Sequence, residues 1–140
     1  MVVLLLKIKE KFWQTYNPLQ DDNSSQITLT FKRNLEQHYR DLRAGKVDTQ
    51  YRVQDYARSQ HLHPSYFSTV IKTRTGKSVN NWIAEKIIAE AQAFLSRSPI
   101  SIQEVATQLG FKEPGHFSRF FKKHTGMSPS TFRDTLADKT

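Results

Sequence analysis

The sequence predicts an all-α protein. Apolar residues recur at spacings of three and four along most of its length, no stretch sustains the alternation of a strand, and one pattern of short helical segments is written twice. Composition agrees with a globular chain of one domain or two very small ones: 140 residues, 37% hydrophobic and 24% charged, with five Gly and five Pro. There is no cysteine, which excludes a disulfide framework, a thiolate metal site and a thiol nucleophile, and fits a reducing, cytoplasmic setting.

The elements follow in chain order. Val2 to Tyr16 reads as an amphipathic helix, with Leu5, Ile8, Phe12 and Tyr16 on one side and Lys7, Lys9 and Lys11 elsewhere. Its opening run MVVLLL is too short to span a bilayer and lacks the flanks of a signal peptide, so no membrane partner is expected. Asn17-Pro18 breaks the helix, and Leu19 to Gln26 (LQDDNSSQ) reads as a polar linker. The stripe Phe31, Leu35, Tyr39 and Leu42 predicts the next helix, ended by Gly45. Arg52 to Ser59 predicts a short helix with Val53, Tyr56 and Ala57 inward. Pro64 to Thr73 predicts another, with Pro64 in the first turn, where a missing N–H costs nothing, and Gly76 at the place of a C-terminal cap.

Ser78 is placed to cap a long helix from Val79 to about Ser96, lined by Trp82, Ile83, Ile87, Ala91, Phe94 and Leu95. At about 1.5 Å per residue it is on the order of 27 Å long. Glu85 and Glu90 are assigned to its solvent side, and Pro99 follows its end. Ser101-Ile-Gln-Glu104 reads as a capping box that opens a short helix stopping at Gly110. Pro114 to Lys123 repeats the first-turn-proline helix, with Gly126 behind it, and Ser128-Pro129 opens a last helix through Phe132 and Leu136.

The two copies superimpose with one inserted residue. Val53, Ala57 and Leu62 pair with Ile102, Ala106 and Phe111 at an offset of 49. Pro64, Phe67, Ser68, Lys72, Thr75-Gly76, Ser78 and Trp82 pair with Pro114, Phe117, Ser118, Lys122, Thr125-Gly126, Ser128 and Phe132 at an offset of 50. Each copy is a helix, a short turn and a second helix, the helix-turn-helix layout whose second helix enters the DNA major groove.

That second helix has two faces in each copy. Phe67, Val70 and Ile71 in the first, and Phe117, Phe120 and Phe121 in the second, are assigned to the core. Opposite them stand Ser65, Ser68, Thr69 and Lys72, and in the second copy Gly115, Ser118, Arg119 and Lys122. Small residues let a backbone approach a groove, and cations neutralise phosphates. The formal charge is +8, of which Pro64–Lys77 and Pro114–Gly126 carry +6 with no acidic residue. Arg119 is the leading base reader, because its fork matches guanine O6 and N7. His116 lies near the helix start, within reach of a base edge, and Lys123 adds to the cationic end. The first copy offers mostly hydroxyls and is expected to discriminate less. Successive major-groove entries on one face lie about 34 Å apart, so the long helix is expected to act as a rod presenting both readers to one duplex.

VQDYA, HPSYFS and TGKS in the first copy, and EVATQLGFKEPGHFSRFFKKHTGMSPSTFR from Glu104 to Arg133 in the second, resemble the DNA-binding domain of the AraC/XylS family of bacterial transcription regulators. The resemblance covers about Phe31 to Leu136. It implies two helix-turn-helix units joined by a long helix, and promoter binding that activates or represses transcription. Residue by residue it implies DNA contact for Ser65, Ser68, Thr69 and Lys72, and for Gly115, His116, Ser118, Arg119 and Lys122. Thr69 departs from the family, which commonly has a basic residue there, and Thr73-Arg74 replaces a more regular basic pair.

The expected organisation is therefore a lead over residues 1–26 and a DNA-binding domain over 27–140. Within it, the helix-turn-helix units fall at about 52–76 and 102–126, with a linker helix at about 79–97. Many family members carry an N-terminal effector-binding and dimerisation region, and MVVLLLKIKEKFW resembles its final helix. Residues 2–16 are accordingly expected to face a second copy or a full-length regulator. A fragment, a truncated product and a stand-alone regulator all fit the sequence. Double-stranded DNA is the principal partner expected, with RNA polymerase a further candidate.

Other chemistries find little support. His61-x-His63 has a spacing met in metal sites, but no third ligand is evident, and no metal or cofactor is expected. No nucleophile elbow, phosphate loop, zinc-protease or dinucleotide fingerprint occurs, so no enzyme is expected. The rival readings are an interaction protein that pairs with a full-length relative, and a non-specific nucleic-acid binder.

Overall fold

The computed structural model describes residues 22–137, which form seven helices and, among the described residues, no strand. Helix α1 spans Asp22–Arg43, α2 Val53–Ser59, α3 Pro64–Thr75, α4 Val79–Arg97, α5 Ile102–Gln108, α6 Pro114–Thr125 and α7 Pro129–Ala137. The fold is all-α, with two helix-turn-helix pairs, α2–α3 and α5–α6, either side of the 19-residue α4 in the chain. The helix predicted at Val2 to Tyr16, and the interface assigned to it, lie outside the described residues. No helix among the described residues is long and apolar enough to cross a membrane.

Helix α1 starts earlier than the sequence suggests, because residues 22–26, assigned to a linker, are helical. Ser24, Ile27, Thr28 and Phe31 recur at helical spacing and all four are buried. Two of them are small hydroxyl residues, which hides the stripe from a hydrophobicity reading. Burial is tolerated because Thr28 Oγ1 donates to the Ser24 carbonyl at 2.8 Å, returning its proton to its own helix.

The described residues divide into two compact units, 22–34 with 52–82 and 35–51 with 83–137. In the first, Phe31 is the hub. Its ring meets Tyr56, Phe67 and Trp82 edge-on, with centroids at 5.3, 5.5 and 6.4 Å. Ile27, Ala57, Val70, Ile71 and Val79 complete this core. Gln60 Nε2 donates to the Ile27 carbonyl at 3.1 Å, and Asn34 Nδ2 to Ser59 Oγ at 3.2 Å, tying α1 to the end of α2.

The second unit buries Leu35, Tyr39 and Leu42 of α1 with Ile87, Ala91 and Leu95 of α4, and Val105, Ala106, Leu109, Phe111, Phe117 and Phe121 of its helix-turn-helix. Phe111, Phe117, Phe121 and Phe132 form a chain of ring contacts at 5.3 to 5.9 Å. Helix α7 is fastened by Arg133, whose Nε and Nη2 donate to the carbonyls of Leu95 and Ser98, each at 3.2 Å. A cation thus satisfies the carbonyls and the dipole at the end of α4.

Three sequence assignments need correction here. Glu90 is buried, not on the solvent side as Glu85 is. It pairs with Arg43 and, at 3.2 Å, with Lys86, which also reaches Glu36 at 2.6 Å. A carboxylate so compensated can leave water, and its partner at position 43 is too distant in sequence for a helical pattern to reveal. Phe120 is only half-buried, lying between the Phe111 and His124 rings at the rim. The capping box at α5 is half formed: Ser101 Oγ accepts from the Glu104 N–H at 3.1 Å, but Glu104 does not return the bond. The return bond is made one repeat earlier, where the Arg52 N–H donates to Asp55 Oδ2 at 2.8 Å.

Candidate nucleic-acid interface

The two helix-turn-helix pairs are built by the same local bonds. Ala57 and Ala106 are buried, and their carbonyls accept from the N–H of Leu62 and Phe111, both at 2.9 Å. The turn passes through the left-handed region at His61 (φ 56°) in the first copy and Gly110 (φ 85°) in the second. Both second helices end with left-handed Gly76 and Gly126. Before each glycine a threonine closes a clasp. Thr75 Oγ1 donates to the Ile71 carbonyl at 2.7 Å and accepts from the Lys77 N–H at 3.2 Å; Thr125 does the same with Phe121 and Met127 at 2.8 and 3.3 Å. Ser78 and Ser128 then cap the following helices, accepting from the N–H of Asn81 and Thr131 at 3.1 Å each. The sequence repeat is therefore a repeat of hydrogen bonds.

These bonds fix which face of α3 and α6 is buried. Phe67, Val70 and Ile71 are inaccessible, as are Phe117 and Phe121. On α3, Ser65, Thr69 and Lys72 are exposed and Ser68 is half-buried. On α6, Gly115, His116, Arg119, Lys122 and Lys123 are exposed and Ser118 is half-buried. Each helix thus gathers its predicted site residues on its open side, with the two serines at the edge of contact with the core.

The cations of the two copies differ in what they already hold. Around α3, Lys72 Nζ turns back to the Gly76 carbonyl at 3.3 Å. Arg74 donates to Ser25 Oγ of α1. Lys77 lies 3.9 Å above the Trp82 ring, which Lys32 also approaches at 5.1 Å. In α6, Arg119, Lys122 and Lys123 form no ion pair with any described residue. Arg119 Nη1 lies beside Gly115, where a Cβ would stand 3.5 Å from it in ordinary contact. His116 rests its ring against Phe111 at 5.7 Å, with Glu113 as the residue before α6.

Two residues escaped the sequence reading. His63 caps α3, its Nδ1 accepting from the Ser65 N–H at 3.1 Å, and Tyr66 is half-buried beside it. With Ser65 and Thr69 they line an open hollow of about 340 Å³ on the exposed side of α3. The signal was present as two rings, His63 and Tyr66, on either side of Ser65, but pairing with the second copy draws attention away from positions that do not repeat. The other flank of α3 bounds a cleft of about 470 Å³ with Ser68, Lys72, Ser78 and Asn80 on its walls. Among the described residues, no group of three or more His, Cys, Asp or Glu side chains is placed to hold a metal ion.

Two units, each a helix pair with a buried alanine in its first helix and a polar and cationic face on its second, define a tandem helix-turn-helix protein. The chain matches the helix-turn-helix domain family over residues 56–135. It is 35% identical over 93 residues to the arabinose operon regulatory protein of Escherichia coli K12, covering 66% of this chain and 32% of that protein. It is 38% identical over 84 residues to YobQ, an uncharacterized HTH-type transcriptional regulator of Bacillus subtilis strain 168, covering 60% of this chain and 35% of that one. In fold it is similar to the DNA-binding domain of the global transcriptional factor AdpA, solved in complex with a target DNA, with a TM-score of 0.67 at 22% identity over 79% of this chain and 95% of that one. The chain spans about a third of the length of the curated relatives it matches. It belongs to the AraC-type helix-turn-helix family, whose members are DNA-binding transcription-regulator domains rather than enzymes.

Proposed function

We propose that the chain is a sequence-specific DNA-binding regulator of transcription that inserts α3 and α6 into adjacent major grooves of a promoter. The observation that carries this reading is the pair of matched faces, with Ser65, Thr69 and Lys72 exposed and Ser68 half-buried on α3, and Gly115, His116, Arg119, Lys122 and Lys123 exposed and Ser118 half-buried on α6. Arg119 reads a guanine edge, Lys122 and Lys123 neutralise phosphates, and the small residues admit the backbone to the groove.

Arg119 provides the test. In this reading Arg119→Ala weakens binding to a selected duplex by about 1–3 kcal/mol and relaxes preference at one base pair, leaving preference elsewhere intact. Binding that falls equally for all duplexes, measured by competition against single-base variants, would remove Arg119 as a base reader and favour a non-specific binder. Footprinting on the same duplex is expected to protect two patches about one turn apart.

A further inference from the structure

Thr69 occupies the α3 position that Arg119 occupies in α6, fifty residues later. Its hydroxyl is already committed. Oγ1 donates to the Ser65 carbonyl at 2.9 Å, which consumes the single proton a threonine hydroxyl carries. In a β-branched side chain this bond also holds χ1 in one well. Thr69 nevertheless remains exposed. Toward a base edge it therefore has no proton to donate. It offers a lone pair and a methyl group.

Its surroundings favour the methyl. The hollow that Thr69 lines is completed by His63, Ser65 and Tyr66. None of these is a lysine or an arginine: His63 Nδ1 accepts the Ser65 N–H at 3.1 Å, and the other two are neutral. A hollow lined by two rings and a methyl, without lysine or arginine, presents apolar surface to a base edge. Thymine alone among the bases projects a methyl into the major groove, and threonine methyls are among its apolar contacts. Resting on the DNA-binding reading above, we infer that Thr69 is a specificity-determining residue whose methyl meets the C5-methyl of a thymine seated in this hollow. The two recognition helices then read by different chemistry, α3 by an apolar contact and α6 by the Arg119 fork.

The experiment uses duplexes selected from a randomised pool by the wild-type chain. Each thymine is replaced in turn by deoxyuridine, which lacks only the methyl. At one position outside the half-site that depends on Arg119, uracil is expected to lower affinity about three- to fivefold, the worth of one buried methyl. Thr69→Val keeps a methyl and is expected to keep this penalty. Thr69→Ser keeps the hydroxyl and is expected to bind thymine and uracil duplexes alike. Far-UV circular dichroism confirms that both variants stay helical. If no thymine shows the penalty, or it persists in Thr69→Ser, or it disappears in Thr69→Val, the assignment is overturned while specific DNA binding stands. A wild-type chain that enriches no sequence overturns both.

Discussion

Tyr39 holds its phenol inside the second unit, almost inaccessible, and the hydroxyl makes no hydrogen bond among the described residues. Burial pushes its ionisation well above the usual 10.0, and the negative charge of Glu90 pushes it further. A raised acid favours the protonated form in the folded state. The native chain therefore binds more protons than the unfolded one once the unfolded tyrosine begins to ionise. Stability from this group is complete below about pH 10 and is lost as pH rises beyond it. Tyr39→Phe removes both the unpaired hydroxyl and the titration. It is expected to be neutral or stabilising by up to about 1 kcal/mol at pH 7, since an unsatisfied buried group leaves with it. It is also expected to flatten the alkaline decline between about pH 10 and 12 in denaturant melts. An unchanged alkaline slope in the variant would assign that decline to another group.

At the scale of elements, the turn of each helix pair poses the same backbone demand and meets it with different residues. His61 adopts φ 56° in the first turn, where a Cβ strains the left-handed conformation, while Gly110 adopts φ 85° in the second without that strain. His61→Gly is expected to raise stability by about 0.5–1 kcal/mol, a shift of a few degrees in thermal melting. Gly110→Ala acts in the opposite sense. Its Cβ would stand 2.9 Å from Gln50 Cγ and 3.1 Å from the Gln50 backbone nitrogen, and would disturb the bond from Gln50 Nε2 to the Leu109 carbonyl. Strain, crowding and the weakened bond together are expected to cost about 2–4 kcal/mol. Equal effects of the two substitutions would show that the turns are not under the same constraint. This contrast also marks what a sequence can disclose. The proline starts, the glycine ends and the buried faces of α3 and α6, Phe120 apart, were legible, because each is set by residues within a few positions of one another. The start of α1 was not, because Ser24 and Thr28 carry a buried stripe on polar side chains. The burial of Glu90 was not, because it rests on Arg43, which belongs to another helix far away along the chain. Of the site, the exposed faces followed from helical spacing alone. The hollow beside Thr69 did not, since it depends on where the His63 and Tyr66 rings come to rest.

For the molecule as a whole, the formal charge of +8 counts cations that do not stand equally ready for a polyanion. Near α3, Lys77 is engaged with Trp82 and Arg74 with Ser25, so bringing either to a phosphate first breaks an existing contact. On α6, Lys122 and Lys123 are exposed, are paired with no described acid and have no such contact to lose. Counterion release scales with the phosphates neutralised, each contributing about −0.9 to the slope of log K against log salt on duplex DNA. Lys122→Ala with Lys123→Ala is therefore expected to make that slope shallower by up to about 2, with affinity lost uniformly across sequences. Lys77→Ala is expected to leave the slope nearly unchanged and instead to reduce folding stability by about 0.5–1 kcal/mol through its lost contact with the Trp82 face. The two measurements, a salt titration of binding and a denaturant melt, separate the roles. A slope that changes as much for Lys77 as for either α6 lysine would mean that the Trp82 contact gives way on binding. The engaged and the unengaged cations would then serve the polyanion alike.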